Sequence, residues 1–125
     1  MIKLFLIKND TQESIEIHNN TTTIGREASN EIVLASSYIS KYHCKLTKKE
    51  NQWLISDLQS TNGTFLNSER LTRTTILRNN DVIMFGSADF TYNVKIEDND
   101  ETSEIKTTII NNENISVQPE ESEKP

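Results

Sequence analysis

Apolar side chains recur at every second position in short segments of the first 96 residues. Ile2, Leu4 and Leu6 occupy alternate positions, and the segment Ser14–Ile17 shows the same period of two. Because successive side chains of a β-strand point to opposite faces, this period predicts strands. Further segments rich in β-branched or aromatic residues predict additional strands: Thr21–Ile24, His43–Thr47, Gln52–Leu58, Thr64–Leu66, Asp81–Phe85 and Phe90–Ile96.

Turn-forming residues separate these segments about every ten residues. Examples are Asn62-Gly63, Asn79-Asn80-Asp81 and Phe85-Gly86-Ser87. No segment shows the 3.6-residue apolar stripe of an amphipathic helix. Short strands at this spacing predict an all-β fold, either an antiparallel sandwich or a barrel.

The last 29 residues have a different composition from the first 96. Residues 1–96 carry 11 basic and 10 acidic side chains, whereas residues 97–125 carry 2 basic and 9 acidic ones and no aromatic residue. Such a segment buries too little apolar surface to offset the entropy lost on ordering. We therefore predict a folded domain at residues 1–96 and a disordered acidic tail or linker at residues 97–125. The tail contains one short apolar, β-prone island, Ile105–Ile110.

Composition excludes several classes of function. The near-neutral first 96 residues lack the basic surface of a nucleic-acid-binding domain. The longest apolar runs, Leu4–Ile7 and Val82–Phe85, are too short to span a membrane or to form a secretory signal. The sequence has one cysteine, Cys44, which therefore cannot form an internal disulfide. One cysteine and two histidines also make a dedicated zinc site improbable. These features favour a cytoplasmic protein without a bound metal.

Three polar clusters lie between predicted strands: Gly25-Arg26 with residues 27–30, Ser40–His43, and Ser60–Thr64. Taken singly, each has a purely structural explanation, since Asn-Gly is a common hairpin turn and an isolated Arg or His is usually a surface or packing residue. Together they supply guanidinium, ammonium, hydroxyl and amide donors, which suit a phosphate dianion.

The clusters indicate binding without catalysis. No base-activated nucleophile stands out in the sequence, and no Gly-rich phosphate loop leads into a helix. We therefore expect a site that holds an anion without transforming it, and neither enzymatic activity nor a cofactor.

The order and spacing of six motifs resemble those of a forkhead-associated (FHA) domain. The motifs are Thr23–Arg26, Ile32–Leu34, Ser40–His43, Trp53–Asp57, Ser60–Thr64 and Asp81–Gly86. The resemblance covers about residues 1–96. It implies an antiparallel β-sandwich of about eleven short strands, of the FHA/SMAD type, that binds phosphothreonine peptides at its loop end.

The resemblance also implies a phosphopeptide-binding set. Arg26 and Ser40 would bond the phosphate, with Lys41 beside them. Thr61 would frame the phosphothreonine, and Asn62 would hydrogen-bond the peptide backbone. Lys41 stands where the family usually has Arg, so the charge is kept but the two-pronged donor geometry is lost.

Three further residues would support this site. By the same resemblance Gly25 and Gly63 would shape turns, and His43 would brace the loops from beneath without touching the ligand. A second departure from the family pattern is Asn67-Ser68, where a hairpin usually has Asn-Gly. It weakens a turn preference but removes no predicted ligand residue.

The resemblance implies a non-catalytic signalling module that recruits phosphothreonine-containing partners in Ser/Thr kinase pathways. The expected partner is a Ser/Thr kinase or its substrate. Binding to nucleic acid or to a membrane is not expected. Two alternatives remain open. In one, phosphorylation of Thr107 or Thr108 lets the tail occupy the site and close it to other ligands. In the other, the domain is a structural interaction module that does not use phosphate.

Overall fold

Eleven β-strands make up most of residues 2–98, the part of the chain that the computed structural model describes. The strands are β1 (Ile2–Lys8), β2 (Ser14–Ile17), β3 (Thr21–Gly25), β4 (Ile32–Val33), β5 (Cys44–Lys49), β6 (Gln52–Asp57), β7 (Thr64–Leu66), β8 (Glu69–Arg70), β9 (Thr75–Leu77), β10 (Val82–Phe85) and β11 (Thr91–Asp98). A single 3-10 turn, Ala88–Phe90, precedes β11. No helix in residues 2–98 is long and apolar enough to cross a membrane.

The strands form two sheets. One has six strands in the order β2-β1-β11-β10-β7-β8, and the other has five in the order β4-β3-β5-β6-β9. Neighbouring strands pair antiparallel, as predicted, in β1–β2, β10–β11, β7–β10 and β7–β8 of the larger sheet and in β3–β5, β5–β6 and β6–β9 of the smaller one. The two-residue strand β4 pairs in parallel with β3. The fold is thus the predicted all-β sandwich of about eleven short strands.

Alternate side chains of the two sheets form the core. Leu4 and Leu6 of β1 are buried, as are Leu46 of β5 and Ile83 of β10. The polar or half-exposed residues between them lie on the outer faces of the sheets. The period of two in the sequence therefore identifies which face of each long strand packs inward.

Strand register brings three loops to one end of the five-stranded sheet. Ile24, near the end of β3, pairs with Cys44 at the start of β5. Cys44 also pairs with Asp57 at the end of β6. The loops that leave β3, enter β5 and leave β6 must consequently lie side by side. All three polar clusters of the sequence fall in or beside these loops.

Three strands were not predicted from the sequence: β4, β8 and β9. Two of them, β4 and β8, have only two residues, too few to display a period of two, and β9 has three. The island at residues 105–110, Thr107 and Thr108 lie outside the described residues, so the tail and the switch stay predictions.

Candidate functional site

The three loops enclose an open cleft of about 310 Å³. All five side chains of the predicted phosphopeptide-binding set line it: Arg26, Ser40, Lys41, Thr61 and Asn62. Residues 37–39 complete the lining. The structure thus brings together three sequence clusters separated by up to about 35 positions.

The loop at residues 36–42 is held by four successive backbone carbonyls. Asn62 Nδ2 donates to the carbonyl of Tyr38 over 2.9 Å. The guanidinium of Arg26 donates to the carbonyl of residue 39 over 2.9 Å, and its backbone N–H donates to that of Ser40 over 3.0 Å. Asn30 Nδ2 donates to the carbonyl of Lys41 over 2.7 Å. The cleft is therefore fixed before any ligand arrives, which lowers the entropic cost of binding.

Arg26 keeps most of its donor capacity for a ligand. A guanidinium has five N–H groups, and the described residues engage the side chain only through the carbonyl of Ile39. That bond fixes the direction of the side chain. Lys41 is exposed and forms no ion pair within residues 2–98. The cleft consequently presents two cations whose charge no neighbouring carboxylate neutralises.

Ser40 joins two of the loops through its hydroxyl and its backbone. Its Oγ accepts the backbone N–H of Thr61 over 2.9 Å. Because this oxygen acts as the acceptor, its own hydrogen remains available to donate to an anion in the cleft. The bond also places Thr61 directly beside the serine.

His43 lies beneath the cleft and links the same two loops from the core side. The side chain is fully buried. Its Nδ1 accepts the backbone N–H of Ser40 over 3.1 Å, and its Nε2 lies 2.9 Å from the carbonyl oxygen of Gly63. These partners assign the proton to Nε2, which donates to that carbonyl. His43 does not line the cleft.

Two glycines allow the close approach of these loops. A Cβ at Gly25 would lie 2.2 Å from the carbonyl oxygen of Lys41, so no larger residue fits there without backbone movement. Gly63 has φ of 89°, a conformation that side chains with a Cβ disfavour. Both glycines therefore permit the observed packing of the loops.

Two residues that sequence reasoning did not single out also shape the site. Asn30 is buried and donates to the carbonyls of Glu27 and Lys41, so it ties the first loop to the second. Its position at the end of the polar cluster that follows Arg26 was the available signal. The other residue, Asp57, lies at the base of the third loop.

The carboxylate of Asp57 accepts three hydrogen bonds. They come from the backbone N–H and the hydroxyl of Ser60, over 3.0 and 2.6 Å, and from the hydroxyl of Thr64, over 2.7 Å. Burial raises the pKa of Asp57, but these bonds outweigh it, so the pKa lies below its ordinary value. The ionised carboxylate thus stabilises the loop that carries Thr61 and Asn62.

Cys44 is buried, and burial raises the pKa of its thiol to about 12. The thiol is therefore protonated at neutral pH and unsuited to act as a nucleophile. Within residues 2–98, no group of three or more His, Cys, Asp or Glu side chains is arranged to hold a metal ion.

A model of the FHA domain family matches residues 22–86, more than half of the chain. The matched segment begins in β3 and ends just after β10, and it contains every residue that lines the cleft.

Curated relatives include a bacterial and a yeast protein. The chain is 36% identical over 58 residues to FHA domain-containing protein FhaB of Mycolicibacterium smegmatis, a match that covers 46% of this chain and 37% of the relative. It is 36% identical over 87 residues to the DNA damage response protein kinase DUN1 of Saccharomyces cerevisiae, covering 62% of this chain and 17% of the kinase. The chain thus spans well under two thirds of the length of either protein.

Among solved structures, the fold is similar to that of Mycobacterium tuberculosis EmbR in complex with a low affinity phosphopeptide. The TM-score is 0.70 at 26% sequence identity, and the match covers 74% of this chain and 24% of that one.

Proposed function

Because the chain belongs to the FHA domain family, we propose that it is a phosphothreonine-peptide-binding module that recruits phosphorylated proteins without transforming them. The observation that carries this proposal is the cleft at the loop end, where Arg26, Ser40, Lys41, Thr61 and Asn62 meet. We propose residues 1–96 as the binding domain.

The charge and donors of the cleft suit a phosphorylated side chain. Such a group carries about −1.5 to −2 charges and three acceptor oxygens. Arg26 and Lys41 supply two positive charges, and the Ser40 hydroxyl supplies a third donor. Asn62 already donates to the carbonyl of Tyr38, which leaves its Oδ1 to accept an N–H of the peptide backbone.

The relatives support a role in kinase signalling. The similar EmbR structure contains a phosphopeptide, and one curated relative is itself a protein kinase. We propose that the partner of this chain is a Ser/Thr kinase or a substrate of such a kinase, met in the cytoplasm.

Discrimination between phosphothreonine and phosphoserine requires more than burial of the threonine methyl group. One buried methyl contributes about 0.8 kcal/mol, which corresponds to about fourfold in affinity. A larger preference requires that the methyl group contact a fitted wall and fix the side-chain torsion of the phosphothreonine. The affinity ratio therefore reports whether the methyl group has such a wall.

Calorimetric titration of the full chain with an oriented phosphothreonine peptide library tests the proposal. We expect binding that requires the phosphate and falls at least tenfold in Arg26→Ala, since a charge-assisted hydrogen bond contributes roughly 1.5–3 kcal/mol. Matched phosphoserine and unphosphorylated libraries serve as ligand controls. Arg78→Ala is the matched protein control, because it removes an exposed arginine that follows β9 and does not line the cleft.

Absence of phosphate-dependent binding by the folded wild-type chain would contradict the proposal. The structural interaction module predicted as an alternative would then be the better account of this domain.

A further inference from the structure

The loop at residues 60–64 contains a chemically labile pair, Asn62-Gly63, the one Asn-Gly pair in the sequence. In such a pair the backbone nitrogen of the glycine loses its proton and attacks the side-chain carbonyl carbon of the asparagine. A ring bond forms from nitrogen to carbon, the bond from that carbon to Nδ2 breaks, and ammonia leaves. Water then opens the cyclic imide to aspartate or isoaspartate. Glycine favours this reaction because it has no Cβ to hinder the approach.

The fold of the loop depends on both residues of this pair. Asn62 Nδ2 donates to the carbonyl of Tyr38. Gly63 has φ of 89°, and a Cβ there would lie 2.8 Å from Arg70 Nε. Arg70 also donates to the carbonyl of Ser60 over 3.4 Å, so it braces the loop from the side of β8. The loop therefore uses a labile sequence that other residues would not replace without strain.

The native loop holds the reacting groups in other bonds. The N–H of Gly63, whose nitrogen is the nucleophile, donates to Ser60 Oγ over 3.0 Å. Gly63 is buried, which keeps hydroxide away from this proton. The carboxamide of Asn62 is directed toward Tyr38 by its bond of 2.9 Å. We therefore expect the attack to require that the loop opens first.

The acceptor of the Gly63 N–H is itself fixed. Ser60 is buried, and its hydroxyl donates to Asp57 Oδ1 over 2.6 Å. Because the hydroxyl hydrogen is used there, the oxygen faces Gly63 as an acceptor. A chain of hydrogen bonds thus runs from Gly63 through Ser60 to an ionised carboxylate, and bonds in such a chain strengthen one another.

We propose that Asn62 is a deamidation site that the Ser60 hydroxyl protects in the folded chain, and that the reaction closes the cleft to phosphorylated ligands. The second half rests on the proposed function. Deamidation replaces the donor to Tyr38 by a carboxylate in a cleft that Arg26 and Lys41 also line. A carboxylate there repels a phosphate dianion and gives the two cations an internal partner. Opening of the loop is thereby converted into a lasting loss of binding.

Mass spectrometry of the full chain, digested after incubation at mildly alkaline pH, measures the conversion of Asn62. We expect at least about tenfold slower conversion in the folded wild type than in urea, because reaction is confined to the opened loop. Ser60→Ala should raise the folded-state rate by about threefold to tenfold, since it removes one hydrogen bond. Ser56→Ala is the matched control, because it removes a hydroxyl that bonds Thr74 outside the cleft lining. In urea all three chains should react at the same rate.

Three results overturn the protected site. They are no conversion of Asn62 in urea, equal rates for folded and unfolded wild type, and a folded-state rate that Ser60→Ala leaves unchanged. If Ser60→Ala does not fold, Asp57→Asn replaces it, since it weakens the acceptor that holds the Ser60 hydroxyl. An unchanged folded-state rate in Asp57→Asn then overturns the protection.

A comparison of Asn62→Asp with Asn62→Ala tests the closing of the cleft. Both variants lose the donor to Tyr38, and only the first adds a charge. We expect phosphopeptide to bind Asn62→Asp at least about threefold more weakly than Asn62→Ala, and the difference to shrink as salt is added. Equal affinities overturn this half of the proposal. A wild-type chain that binds no phosphopeptide contradicts the proposed function, whereas the mass measurement needs no ligand and decides the protection of Asn62 by itself.

Discussion

Asp57 illustrates how a residue outside the cleft determines the shape of the cleft. It ends β6, and its carboxylate holds both Ser60 and Thr64, which flank the turn with Thr61 and Asn62. Bonds to an ionised acceptor are stronger than bonds between neutral groups. The ionisation state of Asp57 should therefore affect the stability of the domain, although Asp57 does not line the cleft.

Asp57→Asn should reduce the free energy of unfolding by about 1 kcal/mol at neutral pH, because the amide is a weaker acceptor and the site is partly open to solvent. The folded-state pKa of Asp57 lies below its ordinary value. Its contribution is thus present above the unfolded pKa, near 3.9, and is lost as the pH falls through the folded pKa. Urea unfolding at a series of pH values measures the difference between wild type and variant.

The difference in free energy of unfolding between wild type and Asp57→Asn should be constant above about pH 5 and should shrink below about pH 4. The control is Asp89→Asn, which removes an exposed carboxylate that accepts no hydrogen bond within the described residues. A difference for Asp57→Asn that stays the same throughout the acid range would contradict the assignment of this stability to the ionised carboxylate.

At the scale of single residues, the sequence and the family resemblance named the phosphopeptide-binding set that lines the cleft and three of its supports, and missed other supports. Arg26 and Ser40 stand out because donor side chains in turns suggest an anion site. Asn30, Asp57 and Arg70 are ordinary polar residues in the sequence. For Asn30 and Arg70 the partner is a backbone carbonyl of another segment, which becomes available only when the two segments meet. Those two pairings depend on tertiary structure and leave no local pattern, whereas Asp57 accepts from the N–H of Ser60, three residues further along the same loop.

At the scale of elements, the β7–β8 hairpin has a strained turn. Its two-residue loop, Asn67-Ser68, has φ of 51° and 74°. A two-residue turn with both φ values positive is the type that favours Asn-Gly. Asn67 is further held by side-chain bonds to Asp81 and to the backbone N–H of Val82. Ser68 has no such compensation within the described residues, so it bears the conformational cost.

Ser68→Gly should stabilise the chain by about 0.5–1 kcal/mol, because glycine removes a left-handed penalty of roughly 1–2 kcal/mol and costs about 0.5–1 kcal/mol in unfolded-state entropy. The midpoint of thermal unfolding should rise by a few degrees. Ser68→Ala is the matched control, since it keeps the Cβ and should give no increase. A lower midpoint for Ser68→Gly would show that the turn is not a source of strain.

The hairpin also explains why some elements escaped prediction. β7 shows apolar residues in sequence, whereas β8 is Glu69-Arg70, two polar residues with no pattern. β4 also has only two residues, and β9 has three. These strands form because neighbouring strands supply their hydrogen-bond partners. The hydropathy pattern along the sequence does not show which strands become neighbours. The other eight strands were predicted, and their predicted ends lie within a few residues of the observed ends.

At the scale of the whole molecule, periodicity alone left sandwich and barrel open, because both place alternate side chains in a core. The order of strands decides between them: two separate sheets, of six and five strands. β11 lies between β1 and β10 in the larger sheet, so the last described strand joins the first strand to the second half of the domain. The fold thus requires residues from both ends of the segment 2–98.

This arrangement predicts where the chain can be shortened. Residues Lys3–Glu97 form one compact unit, and every described strand ends by Asp98. A chain that ends at Asp98 should therefore keep the thermal unfolding midpoint of the full chain within about one degree, since no strand pairing in the described residues is removed. A chain that ends at Phe90 loses β11 and should not give a cooperative transition, because β1 then has no neighbour toward β10. Calorimetric scans of the three chains measure both effects. A midpoint several degrees lower for the chain ending at Asp98 would place part of the folded domain beyond that residue.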